Sequence, residues 1–263
     1  MSGLLVVTSH PDDEVLIAGG TLALCAAAGI ETGVVCLTRG EQGPISDPSL
    51  ATRAELPAVR TRELGAACAE LGVRWVRCYR RQDGNLRWSD GGGIAGQLAR
   101  IIEARRPESV ITFGEDGLYW HPDHIATFDF TRRAIARVGS QVALYRSVWP
   151  RTLMPELVTE LRARGLPDDL WELAAEDFGG ESGDGTLVID VRSVLGRKLR
   201  ALRCHRTQLG PEHAFGSLPD DLAERFLGFE RFARVDPEPD TAGPARADDG
   251  WLTGVLACAV ANA

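Results

Sequence analysis

Lysine is almost missing from this chain. Lys198 is the only one in 263 residues, and every other basic residue is arginine. With alanine and glycine abundant, this reads as the codon bias of a GC-rich bacterial genome and carries no mechanistic meaning. Positive charge is also short overall, 29 basic against 37 acidic side chains for a net charge of −8. A polyanion such as nucleic acid is therefore excluded as the main partner, because phosphate backbones select basic surfaces. No apolar stretch reaches the roughly 18 residues that a membrane helix needs. The run Leu4 to Val7 is too short for a signal peptide and lacks its basic flank, so a cytoplasmic protein with no membrane insertion is expected. The six cysteines, Cys25, Cys36, Cys68, Cys78, Cys204 and Cys258, include no CxxC pair. They read as small core hydrophobes in a reducing compartment. Nor is there a GxSxG elbow, and Cys204, the only cysteine next to a histidine, falls on an expected helix, so serine or cysteine nucleophile chemistry finds no support.

What is present is a soluble globular composition, 44% hydrophobic and 25% charged. Short β-branched runs alternate with helical spacing through the first two thirds. Strands are expected at Leu4–Ser9, Gly33–Thr38, Val73–Tyr79, Ser109–Phe113 and Val142–Val148. Between them lie helices at Val15–Ala28, Ala58–Leu71, Ile94–Ala104 and Pro122–Arg137. Such alternation predicts an α/β fold with a doubly wound, mostly parallel sheet and helices on both faces. Beyond Arg151 the pattern loosens to a strand at Thr186–Val191 and helices at Val194–Cys204 and Asp220–Leu227. One domain over residues 1–235 is expected, followed by a Pro-, Asp- and Ala-rich linker at 236–250 and an apolar tail at 251–263.

Three of the five histidines fall in two compact motifs, His10-Pro11-Asp12-Asp13-Glu14 and His121-Pro122-Asp123-His124. Each follows an expected strand and opens an expected helix, which puts both at the carboxyl ends of strands, where parallel sheets place their sites. Imidazole plus carboxylate is the ligand set of a catalytic zinc centre, which keeps a position open for water. Asp12 and Asp13 cannot both point the same way at a strand-to-helix turn. One suits a ligand, the other a general base. Pro122 suits the first helical position and Asp123 the positive helix N-terminus. His121 and His124, at i and i+3, project to one face, so that one can ligate while the other stands beside the substrate. Either motif alone could be a helix cap, but burying the Asp-Asp-Glu cluster without a compensating cation or partner would be costly.

HPDDE after the first strand, TRGEQG (38–43) after the second and HPDH near the middle resemble the zinc-dependent de-N-acetylases of the LmbE-like and N-acetylglucosaminyl-phosphatidylinositol de-N-acetylase (PIG-L) family. The resemblance covers about Gly3 to Val148, and CHRTQ (204–208) looks like a divergent form of a later family element. It implies a Rossmann-like fold and removal of an N-acetyl group from an amino sugar or its conjugate. Carried over by position, it implies that His10, Asp13 and His124 ligate zinc, with iron(II) able to use the same donors. Asp12 would be the general base. His121 would stabilise the oxyanion as a protonated imidazole, oriented and charged by Asp123, and Tyr119 would help to polarise the amide carbonyl. Arg60 and Asp83 match positions that hold substrate hydroxyls and Glu41 is a third substrate-binding candidate; the alternatives are a solvated helix face for Arg60, an ordinary turn for Asp83 before Gly84 and a loop-shaping role for Glu41.

Two positions depart from the family pattern. Ser9 replaces a frequent alanine, and Trp120 stands where a smaller residue is common and is expected to line the acyl or aglycone pocket or else to pack in the core. His205 is expected to cap a helix C-terminus and His213 to be an exposed loop residue. The alternatives are an amidase for a larger acyl group and a non-catalytic glycan-binding module on the same fold. Asp12 speaks against the second, since a binder needs no spare carboxylate beside a ligand. The expected partner is a small N-acetylated amino-sugar molecule, such as a glycosylated natural product or a thiol glycoside; the oligomeric state is left open.

Overall fold

Every residue of the first strand, β1 (Gly3–Thr8), is buried, and its apolar side chains divide by parity. Leu4 and Val6 join one apolar cluster, Leu5 and Val7 another. This is why the sequence reads there as an unbroken apolar run, since a central parallel strand has helices on both faces. The computed structural model describes residues 3–139, 142–180, 186–216 and 218–235. The expected linker at 236–250 and the tail with Cys258 lie outside the described residues.

The remaining strands are β2 (Glu31–Thr38), β3 (Trp75–Arg81), β4 (Ser109–Thr112), β5 (Ala143–Ser147), β6 (Leu187–Asp190) and β7 (Phe229–Arg234). They form a sheet of order β3-β2-β1-β4-β5-β7-β6. The first five are mutually parallel, and β7 runs antiparallel to both β5 and β6. The expected doubly wound, mostly parallel sheet is the observed one. Helices α1 (Asp13–Ala27) and α2 (Leu56–Leu71) cover one face, and α3 (Gly91–Arg105) covers the other. A distorted turn, α4 (Gly117–Trp120), leads into α5 (Pro122–Val138), which joins α3, while α6 (Leu153–Ala163), α7 (Leu195–Leu202) and α8 (Asp220–Leu227) join α1.

The strand order reverses at β1, which has β2 on one side and β4 on the other. HPDDE follows β1 and HPDH follows α4, just after β4. Adjacent strand ends at a topological switch point thus bring together residues more than a hundred positions apart.

Two elements beyond Arg151, α6 and β7, were not expected from sequence. Charge masks β7: its sequence FERFAR carries Glu230, which is buried. That carboxylate has a structural use. Helix α1 breaks at Ala18 (φ −152°), which frees backbone donors in the next turn. Glu230 accepts from the Gly20 and Thr21 amides at 2.7 and 2.8 Å and from the Thr21 hydroxyl at 2.6 Å. Lys198 balances its charge at 2.8 Å. A buried pair of this kind is tolerated only because every other lone pair is also satisfied.

Candidate active site

The loop after β1 turns back on itself through its own carboxylates. Asp13 Oδ2 accepts from the His10 amide at 2.7 Å, and Glu14 Oε2 accepts from the Asp12 amide at 3.0 Å. Asp12 takes φ 117°, a left-handed conformation for a non-glycine residue, which costs about 1–3 kcal/mol and is typical of functional loops. The result separates the paired aspartates in space. Asp13 faces the histidines and Asp12 faces Arg60.

Three donor groups converge beyond this turn. His10 Nδ1 and His124 Nε2 are 3.2 Å apart, Asp13 Oδ1 is 3.3 Å from His124 Nε2, and Asp13 Oδ2 is 3.4 Å from His10 Nδ1. Tetrahedral zinc with ligands at about 2.0–2.1 Å requires donor separations of about 3.3 Å. The tautomers agree with this use. His124 Nδ1 lies 3.0 Å from the Gly117 carbonyl, which can only accept, and His124 is stacked on Phe113 with ring centroids 3.9 Å apart. His10 turns Nε2 toward Asp83 Oδ1 at 3.0 Å and Asp123 Oδ2 at 3.5 Å, the carboxylate–histidine arrangement that orients metal ligands. Both inward nitrogens therefore present lone pairs beside a carboxylate. The residues fit a divalent cation.

Among the described residues two groupings have one ligand atom per residue all within 4.8 Å of one another, His10 with His121 and His124, and His10 with Asp83 and Asp123. The second lies behind His10, on its outer nitrogen. In the first, His121 has Nδ1 occupied by the Asp123 amide at 3.2 Å. Asp13 supplies the anionic carboxylate that two neutral imidazoles need, with Oδ1 toward His124 and Oδ2 toward His10.

Asp12 and Asp13 are driven apart electrostatically as well. Burial pushes the Asp12 carboxyl up to about 6; Arg60 pulls it back and Asp13 pushes it further up. Asp13 is held well below the usual carboxylate range, because His124 and His10 outweigh the burial that opposes ionisation. A carboxylate near 6 is poised for proton transfer at neutral pH. Arg60, expected either on a solvated face or at substrate hydroxyls, is buried. Its Nη2 donates to Asp12 Oδ2 at 2.9 Å and to the Pro11 carbonyl at 2.6 Å, and its Nη1 donates to the Gly40 carbonyl at 2.7 Å. A Cβ at Gly40 or Gly43 would collide with this guanidinium. That explains both glycines of TRGEQG.

His121 caps α5, with Nδ1 accepting the Asp123 amide. This leaves the proton of the neutral ring on Nε2. The Asp123 carboxylate does not face His121; it accepts from the Gly84 and Leu86 amides at 2.8 and 2.9 Å and flanks His10. The protonated imidazole expected from sequence is not what this geometry gives. Burial pushes His121 down to about 3, His124 and His10 add to the effect, and Asp13 and Asp123 fail to offset it. His121 is a neutral hydrogen-bond donor. Tyr119 lies with its ring centroid 5.6 Å from that of His121, and burial holds its hydroxyl well above the usual range.

The remaining expected residues divide. Asp83 lines the cleft, but its oxygens already serve His10 and the Gln42 amide (2.7 Å). Burial opposes its ionisation and these partners overcome that, lowering it to about 2. Glu41 supports Asp83 by accepting its amide at 3.1 Å. Trp120 is 67% exposed and does not line the cleft, so neither the pocket nor the core expected of it is observed. His213 is buried against Trp171, with ring centroids 4.2 Å apart, rather than exposed. His205 is buried too, and its ring bonds to Glu14 Oε1 at 2.8 Å instead of capping a helix. The cleft, about 300 Å³, gains an apolar wall of Leu16, Trp149, Trp171 and Phe178 that sequence reasoning missed. Those side chains carried no motif; only the chain's path puts them there.

The family model for PIG-L, GlcNAc-PI de-N-acetylase, matches residues 5–135, which contain both histidine motifs. A curated relative from Acidothermus cellulolyticus, 1D-myo-inositol 2-acetamido-2-deoxy-alpha-D-glucopyranoside deacetylase, is 34% identical over 94% of this chain and 93% of its own length. The chain belongs to the PIG-L family. Among solved structures, the 4-carboxy-2-hydroxymuconate hydratase GalB from Pseudomonas putida aligns with TM-score 0.62 at 23% identity, covering 94% of this chain and all of that one. The N,N'-diacetylchitobiose deacetylase from Pyrococcus horikoshii aligns with TM-score 0.57 at 22% identity, covering 92% and 89%. At such identities these two likenesses speak for the fold alone. This PIG-L family chain has no helix among its described residues long and apolar enough to cross a membrane.

Proposed function

We propose that this PIG-L family chain is a zinc-dependent N-deacetylase that hydrolyses the acetamide of an amino-sugar conjugate to acetate and a free amine. The observation that carries the reading is the three-donor triangle of His10, Asp13 and His124 with a separate carboxylate, Asp12, beside it. The name of the Acidothermus relative makes an N-acetylglucosaminyl inositol the first substrate to try.

His10, Asp13 and His124 would hold the cation. When bound, it supplies a Lewis acid for the acyl oxygen and makes a water acidic enough to attack at neutral pH. Asp12, held by Arg60, takes the proton of the attacking water as the new C–O bond forms. His121 donates from Nε2 to the carbonyl oxygen as negative charge develops there, the kind of interaction that grows in the transition state, and Tyr119 donates beside it. Asp12 then returns its proton to the nitrogen as the C–N bond breaks. Arg60 keeps Asp12 ionised and aimed, while Asp83 and Asp123 fix the ring of His10. The apolar wall accommodates the acetyl methyl group and excludes water.

The test is amine release from N-acetylglucosaminyl inositol and simpler N-acetylglucosaminides by zinc- or iron(II)-loaded protein. Release that stops with chelator and returns with metal supports the reading. No release from any acetamide by loaded protein, or release that Asp12→Asn leaves unchanged, would sink it.

A further inference from the structure

Two buried ionisable groups beside the site have no place in this chemistry. Glu14 and His205 are fully buried, 0% exposed each, and join through His205 Nε2 and Glu14 Oε1 at 2.8 Å. They come from opposite ends of the sequence, Glu14 from the first turn of α1 and His205 from the segment after α7. Residue 205 lies outside the stretch matched by the family model.

What the pair holds is the backbone of Asp12. The other oxygen of Glu14 accepts the Asp12 amide at 3.0 Å, at the residue whose φ of 117° a non-glycine adopts only under constraint. Arg60 grips the Asp12 carboxylate from the far side. Without Glu14 the amide would be buried and unpaired, and the strained turn would lose the one restraint on its amide. Glu14 in turn needs a second partner, because a buried carboxylate with a single amide donor is under-satisfied. Among the described residues its bonds are those to the Asp12 amide and to His205. Asp13 does not depend on this arrangement, since its oxygens are fixed by the His10 amide and by the two imidazoles.

We propose that Glu14 and His205 are a positioning pair, transmitted through the Asp12 amide, that aims the Asp12 carboxylate at the reacting water while leaving the cation site alone. The inference rests on Asp12 acting as the base. Its signature is a loss of turnover without loss of metal or of substrate affinity.

The variants are His205→Leu, which removes the donor, His205→Asn, whose amide stops short of Glu14, and His205→Gln, whose amide nitrogen reaches the position of Nε2. Each is made in the full chain, loaded with zinc and assayed for metal content, kcat and KM on an N-acetylglucosaminide, with a crystal structure of the Leu or Asn protein. The expected result is a fall in kcat of about tenfold to a hundredfold for Leu and Asn, the scale of a misplacement near 1 Å. KM and bound zinc should stay within about twofold, His205→Gln should recover most of the turnover, and Asp12 should leave its left-handed φ. If the Leu protein fails to fold, the Asn protein carries the test. Unchanged kcat in either, zinc lost in proportion to kcat, His205→Gln as impaired as His205→Leu, or Asp12 still near φ 117° in the variant structure would each overturn the proposal. Absence of activity in the unmodified protein would instead remove the deacetylase reading, and the Asp12 backbone would still report on the pair.

Discussion

His10 Nδ1 and His124 Nε2 face each other at 3.2 Å with their other nitrogens already turned to the acceptors Asp83 and Gly117. Two lone pairs and the Asp13 carboxylate cannot share that space without a positive charge between them. Where no cation is bound, a proton is expected to take that place. Burial works against charging His10, but Asp123, Asp13 and Asp83 outweigh it and hold its pKa well above the ordinary value.

Cation uptake should therefore displace a proton. Near neutral pH the affinity for zinc should rise with pH, and calorimetry in buffers of different ionisation enthalpy should register proton release on binding. His124→Ala, which removes one of three ligands, should abolish stoichiometric retention. Full retention by that variant would reassign the site.

The base and its arginine make separable predictions. Asp12→Asn should keep its metal and lose roughly 10²- to 10⁴-fold in turnover. Arg60 lowers the Asp12 pKa, so Arg60→Leu should move the acid limb of the kcat/KM profile upward by about one unit or more. A rise in KM with the limb unmoved would mean that Arg60 serves substrate hydroxyls instead.

His121 should be neutral through the working range, because its pKa is pushed down to about 3 by burial and by His124 and His10. Nitrogen NMR should find the proton on Nε2 with no titration between pH 5 and 8 (~2 units above that value and beyond). The alkaline limb of the activity profile should then survive in His121→Gln, whose turnover falls while its metal stays. A His121 that titrates near 7 would restore the protonated form expected from sequence.

His213 predicts a loss of stability in acid. Burial lowers it to about 4 from 6.5, so between those values the unfolded chain binds a proton that the folded chain does not. Stability is full above about 6.5 and falls as pH drops toward about 4. His213→Asn, whose side-chain oxygen can still accept the Phe215 amide bonded to Nδ1 at 3.1 Å, should flatten that part of the Tm profile. An unchanged slope would place the acid sensitivity elsewhere.

The sequence by itself determined the sheet and the family. Strands buried on both faces must be continuously apolar, so Leu4–Val7 and Val34–Leu37 announce a parallel sheet, and HPDDE and HPDH announce which strand ends bear the polar cluster. Helix α6 and strand β7 were hidden, the strand because Glu230 and its arginines break the apolar pattern on which such reading depends. The tertiary structure alone decided charge and aim. Asp123 stands two positions from His121, close enough in sequence to suggest that it charges the ring, yet the α5 turn gives His121 the Asp123 amide and sends the carboxylate to Gly84, Leu86 and His10. His205 and Glu14, 191 residues apart, became partners only through packing. Local spacing fixes which face of a helix a side chain leaves from; what it meets there depends on distant segments that no spacing encodes.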